Sequence, residues 1–154
     1  MDLIFRKAGE GDLAGLVRLL ADDALGQQRE DISIPLNESY LSAFKQIRND
    51  PNNELIVVEE NLVIVGMLQL TFIPYLTHIG SWRCLIEGVR IHKNHRNRGL
   101  GTKVFNWAID RAATKNCNIV QLTSDKKRPN AIRFYESLGF EATHEGFKFK
   151  INAG

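Results

Sequence analysis

Leu85-Ile86-Glu87-Gly88-Val89-Arg90-Ile91-His92, followed after three residues by Arg96-Asn97-Arg98-Gly99-Leu100-Gly101-Thr102, is the stretch that decides the fold. Its first half has the apolar, β-branched character of a strand. Its second half is a glycine-bearing turn that opens a helix over 100–115, with Val104, Trp107 and Ala108 on the inner face. The first main-chain N–H groups of a helix lack intrahelical partners and point outward together. The helix dipole adds positive potential at that end. Glycines let an anion approach the backbone without a side-chain clash. A strand, such a turn and a helix in that order suit a phosphate or pyrophosphate. Other phosphate loops fit worse. The dinucleotide fingerprint needs a glycine where Val104 stands, and no Gly-x4-Gly-Lys-Ser/Thr run occurs.

Outward from this stretch the chain reads as one domain over 1–154 with alternating strands and helices. A first strand is expected from Leu3 to Ala8. Asp12 is placed to cap a helix with Leu13, Leu16, Val17 and Leu20 inward. Residues 26–36 read as irregular. Asn37 is placed to cap a helix burying Tyr40, Leu41, Phe44 and Ile47, and the Asn-Asp-Pro-Asn-Asn run at 49–53 is a turn. Glu54 to Glu59 and Leu62 to Phe72 read as strands joined at Glu60-Asn61. Further on, Ile119 to Ser124 reads as a strand and Asn130 to Leu138 as a helix stopped by Gly139. Two last strands are expected near 140–145 and 147–152. The fold class is α/β: a mixed, twisted sheet of six to seven strands with helices on both faces.

Composition narrows the function classes. Of 154 residues, 44% are hydrophobic and 25% charged, as in ordinary globular domains. No apolar run reaches the ~18 residues a bilayer span needs. Two cysteines form no disulfide framework, so a cytoplasmic setting is expected, with no membrane partner. The net charge of +2 hides an asymmetry of −6 over residues 1–61 and +8 over 62–154. A basic half fits either an anionic cofactor or nucleic acid. No helix-turn-helix, zinc finger or RNA-binding signature is present, so no nucleic acid is expected.

Arg96-x-x-Gly99-x-Gly101 resembles the Arg/Gln-x-x-Gly-x-Gly/Ala signature of the GNAT superfamily of N-acetyltransferases. Asn130-Ala131-Ile132-Arg133-Phe134-Tyr135-Glu136-Ser137-Leu138-Gly139-Phe140 resembles that family's second motif in a shortened form. The stretch 122–128 and the ending 144–148 are reminiscent of aminoalkylphosphonate and other small-amine acetyltransferases. The resemblance implies acetyl-CoA as co-substrate. It implies that main-chain amides of Arg98, Gly99, Gly101 and Thr102 take the pyrophosphate, with Arg96, Asn97 and Leu100 nearby. The main chain of Val89 and Ile91 would pair with the pantetheine arm, and an N–H near Val89 would polarise the thioester carbonyl. The family's strand usually carries a bulge here, which the sequence does not locate. Asn130 matches a cofactor contact and is placed as a helix N-cap, two compatible roles. Tyr135 matches the acid that protonates the departing thiolate, or is a core aromatic. Glu87 is the candidate base, or a carboxylate that holds the substrate cation. Strict alternation puts Leu85, Glu87, Val89 and Ile91 on one face, and a carboxylate buried there calls for a task or a partner.

The expected acceptor is a small-molecule primary amine that attacks directly in a ternary complex. A protein N-terminus or lysine, and a non-catalytic acyl-CoA-binding module, stay open. Oligomeric state stays open, with a homodimer among the possibilities because the family resemblance implies that they are common. Lys126, Lys127 and Arg128 read as a solvated loop. His92 and His95 lack further ligands for a metal site, so no metal is expected. Cys84 and Cys117 read as packing residues. Phe72, Tyr75 and Trp82 either line the substrate mouth or belong to the core.

Overall fold

Five strands form one sheet in the order β1-β2-β3-β4-β5: Leu3–Lys7, Asn53–Glu60, Val63–Pro74, Trp82–Ile91 and Ile119–Gln121. The computed structural model describes residues 2–128 and 130–152. The first three pairings are antiparallel. The last, β4 with β5, is parallel, because the long helix α5 (Leu100–Thr114) crosses between them. Helices α1 (Leu13–Ala21), α2 (Ala24–Arg29) and α3 (Glu38–Asn49) lie between β1 and β2 in the chain. A four-residue element, α4 (Thr77–Gly80), links β3 to β4, and α6 (Ala131–Ser137) follows β5. The chain divides into two compact units, one ending at Gln121 and the other starting at Leu122. Among the described residues no helix is long and apolar enough to cross a membrane.

The two faces of the sheet follow from alternation along β2. Val57 points to α1, where it forms a core cluster with Leu16, Leu19 and Met67. Its neighbours Ile56 and Val58 are equally buried and point to the opposite face. On that face α5 presents Leu100, Val104, Phe105, Ala108 and Ala112, a helical stripe. Trp107 stacks on Phe5 of β1 at 4.7 Å. Each large apolar side chain taken fully from water stabilises by about 1.5–3 kcal/mol.

Local chemistry departs from the sequence reading in several places. Asp12 precedes α1 without capping it: its carboxylate accepts from the Gly9 N–H at 2.7 Å and from Arg6 at 2.7 and 3.0 Å. The Arg6 guanidinium holds the Asp12 carboxyl below its ordinary value and also meets Glu59. Leu19 rather than Leu20 is the deeper contact of α1. Residues 24–29, read partly as irregular, form α2, capped by Asp23 through the Gly26 N–H. Asn37 does cap α3, accepting from the Ser39 N–H at 2.9 Å. Of that helix only Phe44 is fully buried. The β2–β3 turn is Asn61-Leu62, one residue later than expected. Both have positive φ, 51° and 66°, which suits the right-handed twist of a hairpin.

Among the described residues the sheet has five strands rather than six to seven. β5 stops at Gln121, and residues 140–152 form no strand. Phe147, Phe149 and Ile151 alternate with lysines as a strand would, yet all are more than 90% exposed. Alternation supplies a strand's faces but not its neighbour, and no ladder pairs this segment among the described residues. The α6 stop is as expected. The Gly139 N–H bonds the Glu136 carbonyl and the Phe140 N–H bonds that of Tyr135, both at 3.0 Å, with Gly139 at φ 99°.

Candidate active site

β4 leaves its parallel neighbour halfway along. Pairing with β5 ends at Leu85–Gln121, so Ile86 to Ile91 are paired only on the β3 side. Within that half the β3 register slips. Gln69 pairs with Glu87 and Met67 with Arg90, so Gly88 and Val89 together stand opposite the single residue Leu68. This is a β-bulge, and it leaves main chain at Gly88–Val89 outside the ladder. Gly88 has φ 61°, a left-handed conformation in which a side chain is strained. The bulge breaks the alternation expected for β4. Leu85 and Glu87 share a face with Thr71 and Gln69, whereas Ile91 pairs with Gly66 and lies on the other face. Glu87 is exposed rather than buried among apolar neighbours.

Side chains help to fasten the turn after β4. The His92 N–H bonds the Val65 carbonyl at 2.8 Å, and Arg96 Nε reaches back to the Ile91 carbonyl at 3.1 Å. Arg98 donates to both oxygens of Glu60 at 3.2 Å and lies 2.9 Å from His95 Nδ1. With that guanidinium engaged on β2, an anion at this turn meets backbone amides. Asn97 and Gly99 adopt left-handed φ of 62° and 76°. Such alternations gather successive N–H groups into a concave anion site. At Gly99 the backbone conformation alone accounts for glycine, since a Cβ there would meet nothing within 4 Å. Gly101 lies inside α5, where a glycine costs about 1 kcal/mol relative to alanine.

Beside Glu87, β3 contributes residues that the sequence reading passed over. Gln69 Nε2 donates to Asn53 Oδ1 at 2.9 Å, and Thr71 Oγ1 donates to the same oxygen at 3.4 Å. Their signal was present as two polar residues inside the apolar run Met67-Leu68-Gln69-Leu70-Thr71-Phe72. In the second unit, Asn130 is the exposed N-cap residue of α6 at φ 67°, but its side chain makes no capping bond. Asn130 thus holds the N-cap position that the sequence reading offered, without a side-chain bond. Tyr135 is half-buried, with its ring beside Phe134 at 5.6 Å and Phe140 at 6.1 Å.

The sequence profile of the Acetyltransferase (GNAT) family matches residues 10–140. The chain belongs to the GNAT family. That membership makes it an acetyl-CoA-dependent N-acetyltransferase. It is similar to the aminoalkylphosphonate N-acetyltransferase of Salmonella typhimurium, at 28% identity over 73% of this chain and 71% of that one. A crystal structure described as a transcriptional regulator from Bacillus halodurans C-125 is 54% identical. It superposes with a TM-score of 0.93 over 97% of this chain and all of that one. A putative acetyltransferase from Agrobacterium tumefaciens str. C58 is 31% identical, with a TM-score of 0.81 over 96% and 99% of the two chains.

In this GNAT chain the remaining candidates fall into structural places. Cys84 is fully buried, and burial pushes its thiol up to about 12, so it stays protonated at neutral pH. The half-buried Cys117 thiol is raised by desolvation too. Phe72 is core, with Lys115 Nζ 5.1 Å over its ring, and Tyr75 lies under the Arg83 guanidinium at 4.5 Å. Trp82 begins β4 and is half-buried. His92 and His95 meet edge to face at 5.7 Å. Among the described residues no group of three His, Cys, Asp or Glu could hold a metal. Lys127 and Arg128 donate their N–H groups to Asp125 in a tight turn.

Proposed function

We propose that the enzyme transfers acetyl from acetyl-CoA to a primary amine of a small molecule, by direct attack in a ternary complex. The observation that carries this reading is the Gly88–Val89 bulge, flanked by Glu87 and leading into the Arg96–Thr102 turn. Acetyl-CoA supplies the acetyl group as an activated thioester. The amides of Arg98, Gly99, Gly101 and Thr102 take its pyrophosphate, with Arg96, Asn97 and Leu100 completing the turn. The fit rests on the left-handed residues of the turn and on first-turn amides without intrahelical partners. The main chain of Val89 and Ile91 has no strand on the β5 side, so an extended arm can add to β4 there, and Asn130 is a further cofactor contact by the family resemblance.

A main-chain N–H at the bulge stabilises the developing oxyanion. One such donor is worth about 2.7–4 kcal/mol of barrier. The exposed Glu87 carboxylate receives the proton that the substrate ammonium must lose, directly or through water. The Tyr135 hydroxyl holds the proton that the leaving sulfur needs. Acid–base help of this kind contributes about 10²–10⁴-fold each. The domain is taken as 1–154, working in the cytoplasm.

The test is release of free coenzyme A across a panel of small amines, peptides with free N-termini and lysine peptides. Turnover with small primary amines and not with peptides supports the reading, and the reverse pattern moves it to a protein acceptor. The description of the Bacillus halodurans structure as a regulator favours a second reading, an acyl-CoA-responsive protein without turnover. Binding of acetyl-CoA with no thiol release from any amine would select it.

A further inference from the structure

We infer that Gln69 is a specificity-determining residue for the acceptor: it holds a primary ammonium jointly with Glu87, and Asn53 is the positioning residue that fixes it. This rests on the proposed reading of the bulge as the place of acyl transfer. Gln69 and Glu87 are direct cross-strand partners, the last pair in register before Gly88–Val89. Side chains so placed share a face, with Cβ atoms about 5 Å apart. The face is the one toward α1, since Gln69 also pairs with Leu55, which packs against the Leu16–Leu19–Val57–Met67 cluster.

The chemistry of this pair is set by which end of the Gln69 amide is engaged. Its NH₂ donates to Asn53 Oδ1 at 2.9 Å, an oxygen that also takes the Thr71 hydroxyl at 3.4 Å. Two donors converging on Asn53 Oδ1 hold that oxygen, and with it the direction of the Gln69 amide. The other end of Gln69 is then Oε1, a hydrogen-bond acceptor. Glu87 opposite it is exposed and forms no ion pair among the described residues. A carboxylate and a carbonyl side by side are acceptors with no donor between them. The matching ligand is a cation rich in N–H. A primary ammonium offers three donors, a tertiary one offers one and a quaternary one none. Gln69 is half-buried within the apolar run Met67 to Phe72, so a ligand can reach the face it shares with Glu87. Asn53 uses one end, and the substrate uses the other.

The experiment compares kcat and KM of the wild type, Gln69→Leu, Asn53→Leu, Asn53→Asp and the Asn53→Leu/Gln69→Leu double variant. The substrate is the best primary amine from the panel, and its N,N-dimethyl analogue is a competitive inhibitor. Melting curves establish that each variant is folded. Gln69→Leu is expected to raise the amine KM about tenfold or more, the loss of one hydrogen bond to a charged group. The KM for acetyl-CoA should stay, and the preference for the primary amine over the dimethyl analogue should shrink. Asn53→Leu should reproduce part of that loss. Asn53→Asp, which keeps an acceptor oxygen for the Gln69 NH₂, should recover most of it. The double variant should be no worse than Gln69→Leu, because Asn53 acts through Gln69. An unchanged amine KM in folded Gln69→Leu overturns the inference while leaving the proposed function standing. Additive losses in the double variant overturn the positioning role of Asn53. Absence of turnover by the wild type with every amine overturns the proposed function itself, and this inference with it.

Discussion

Glu54 carries a charge at 3% exposure in the middle of the sheet. Arg111 makes that tolerable by donating from Nε and an Nη to the two carboxylate oxygens, at 2.9 and 2.5 Å. Lys7 lies 3.9 Å away but is largely in water and adds little. The Arg111 guanidinium holds the Glu54 carboxyl below its ordinary value. A carboxyl depressed in the folded state contributes stability above its unfolded pKa of about 4.3, and that contribution is lost as pH falls through the folded value. Arg111→Leu strands the charge. It is expected to cost roughly 2–3 kcal/mol at pH 7, below the ~3–5 kcal/mol of a fully buried pair because Arg111 is 30% exposed. The deficit should shrink as acid neutralises the stranded carboxyl, where the wild type weakens instead. Urea unfolding at pH 7 and pH 4.5 reads both signs, and a deficit that grows in acid would refute the assignment. None of this pairing was legible in the sequence, because Glu54 and Arg111 are 57 residues apart. Gly99 was legible, because its role is local.

At the scale of the element, β4 has two halves with different duties. Trp82 to Leu85 is held on both sides, and Ile86 to Ile91 on one. The bulge separates them, and Gly88 makes it possible at φ 61°. A Cβ there would meet only Leu20 Cδ2 at 3.8 Å, so crowding is no obstacle and the backbone conformation is. Gly88→Val is expected to destabilise by about 1–2 kcal/mol, the cost of a left-handed L-residue. It should also lower kcat by shifting the proposed main-chain donor, with little change in acetyl-CoA affinity, which the proposed reading assigns to the turn after β4. Denaturant melts and steady-state kinetics measure the two effects. Equal losses in kcat and in cofactor binding would mean that the bulge and the turn are not separable. Strand β4 itself was readable from its apolar, β-branched run. The bulge was not, since it exists only relative to β3.

For the whole molecule, acetyl-CoA is expected to raise the melting temperature, and NAD and ATP to do so much less. A ligand at about 100 times its Kd adds about 2.7 kcal/mol to the folded state. No shift at saturating acetyl-CoA, with no heat of binding by calorimetry, would contradict the assignment of the turn. The family profile runs through residues of both compact units, from 10 to 140.

Taken alone, the sequence determined the order of β1 to β5 and the three long helices, the glycine-bearing turn at 96–102 that opens α5 and the stop at Gly139. Each depends on neighbours a few residues apart: hydrophobic period, helix-end chemistry, a residue able to take positive φ. The tertiary structure alone decided that Gln69 faces Glu87, that Gly88 and Val89 share one partner, that Glu54 meets Arg111, and that 147–151 pairs with no strand among the described residues. These depend on register between segments distant in the chain. Packing of both sheet faces sets that register, and a slip of one residue would turn every side chain to the other side.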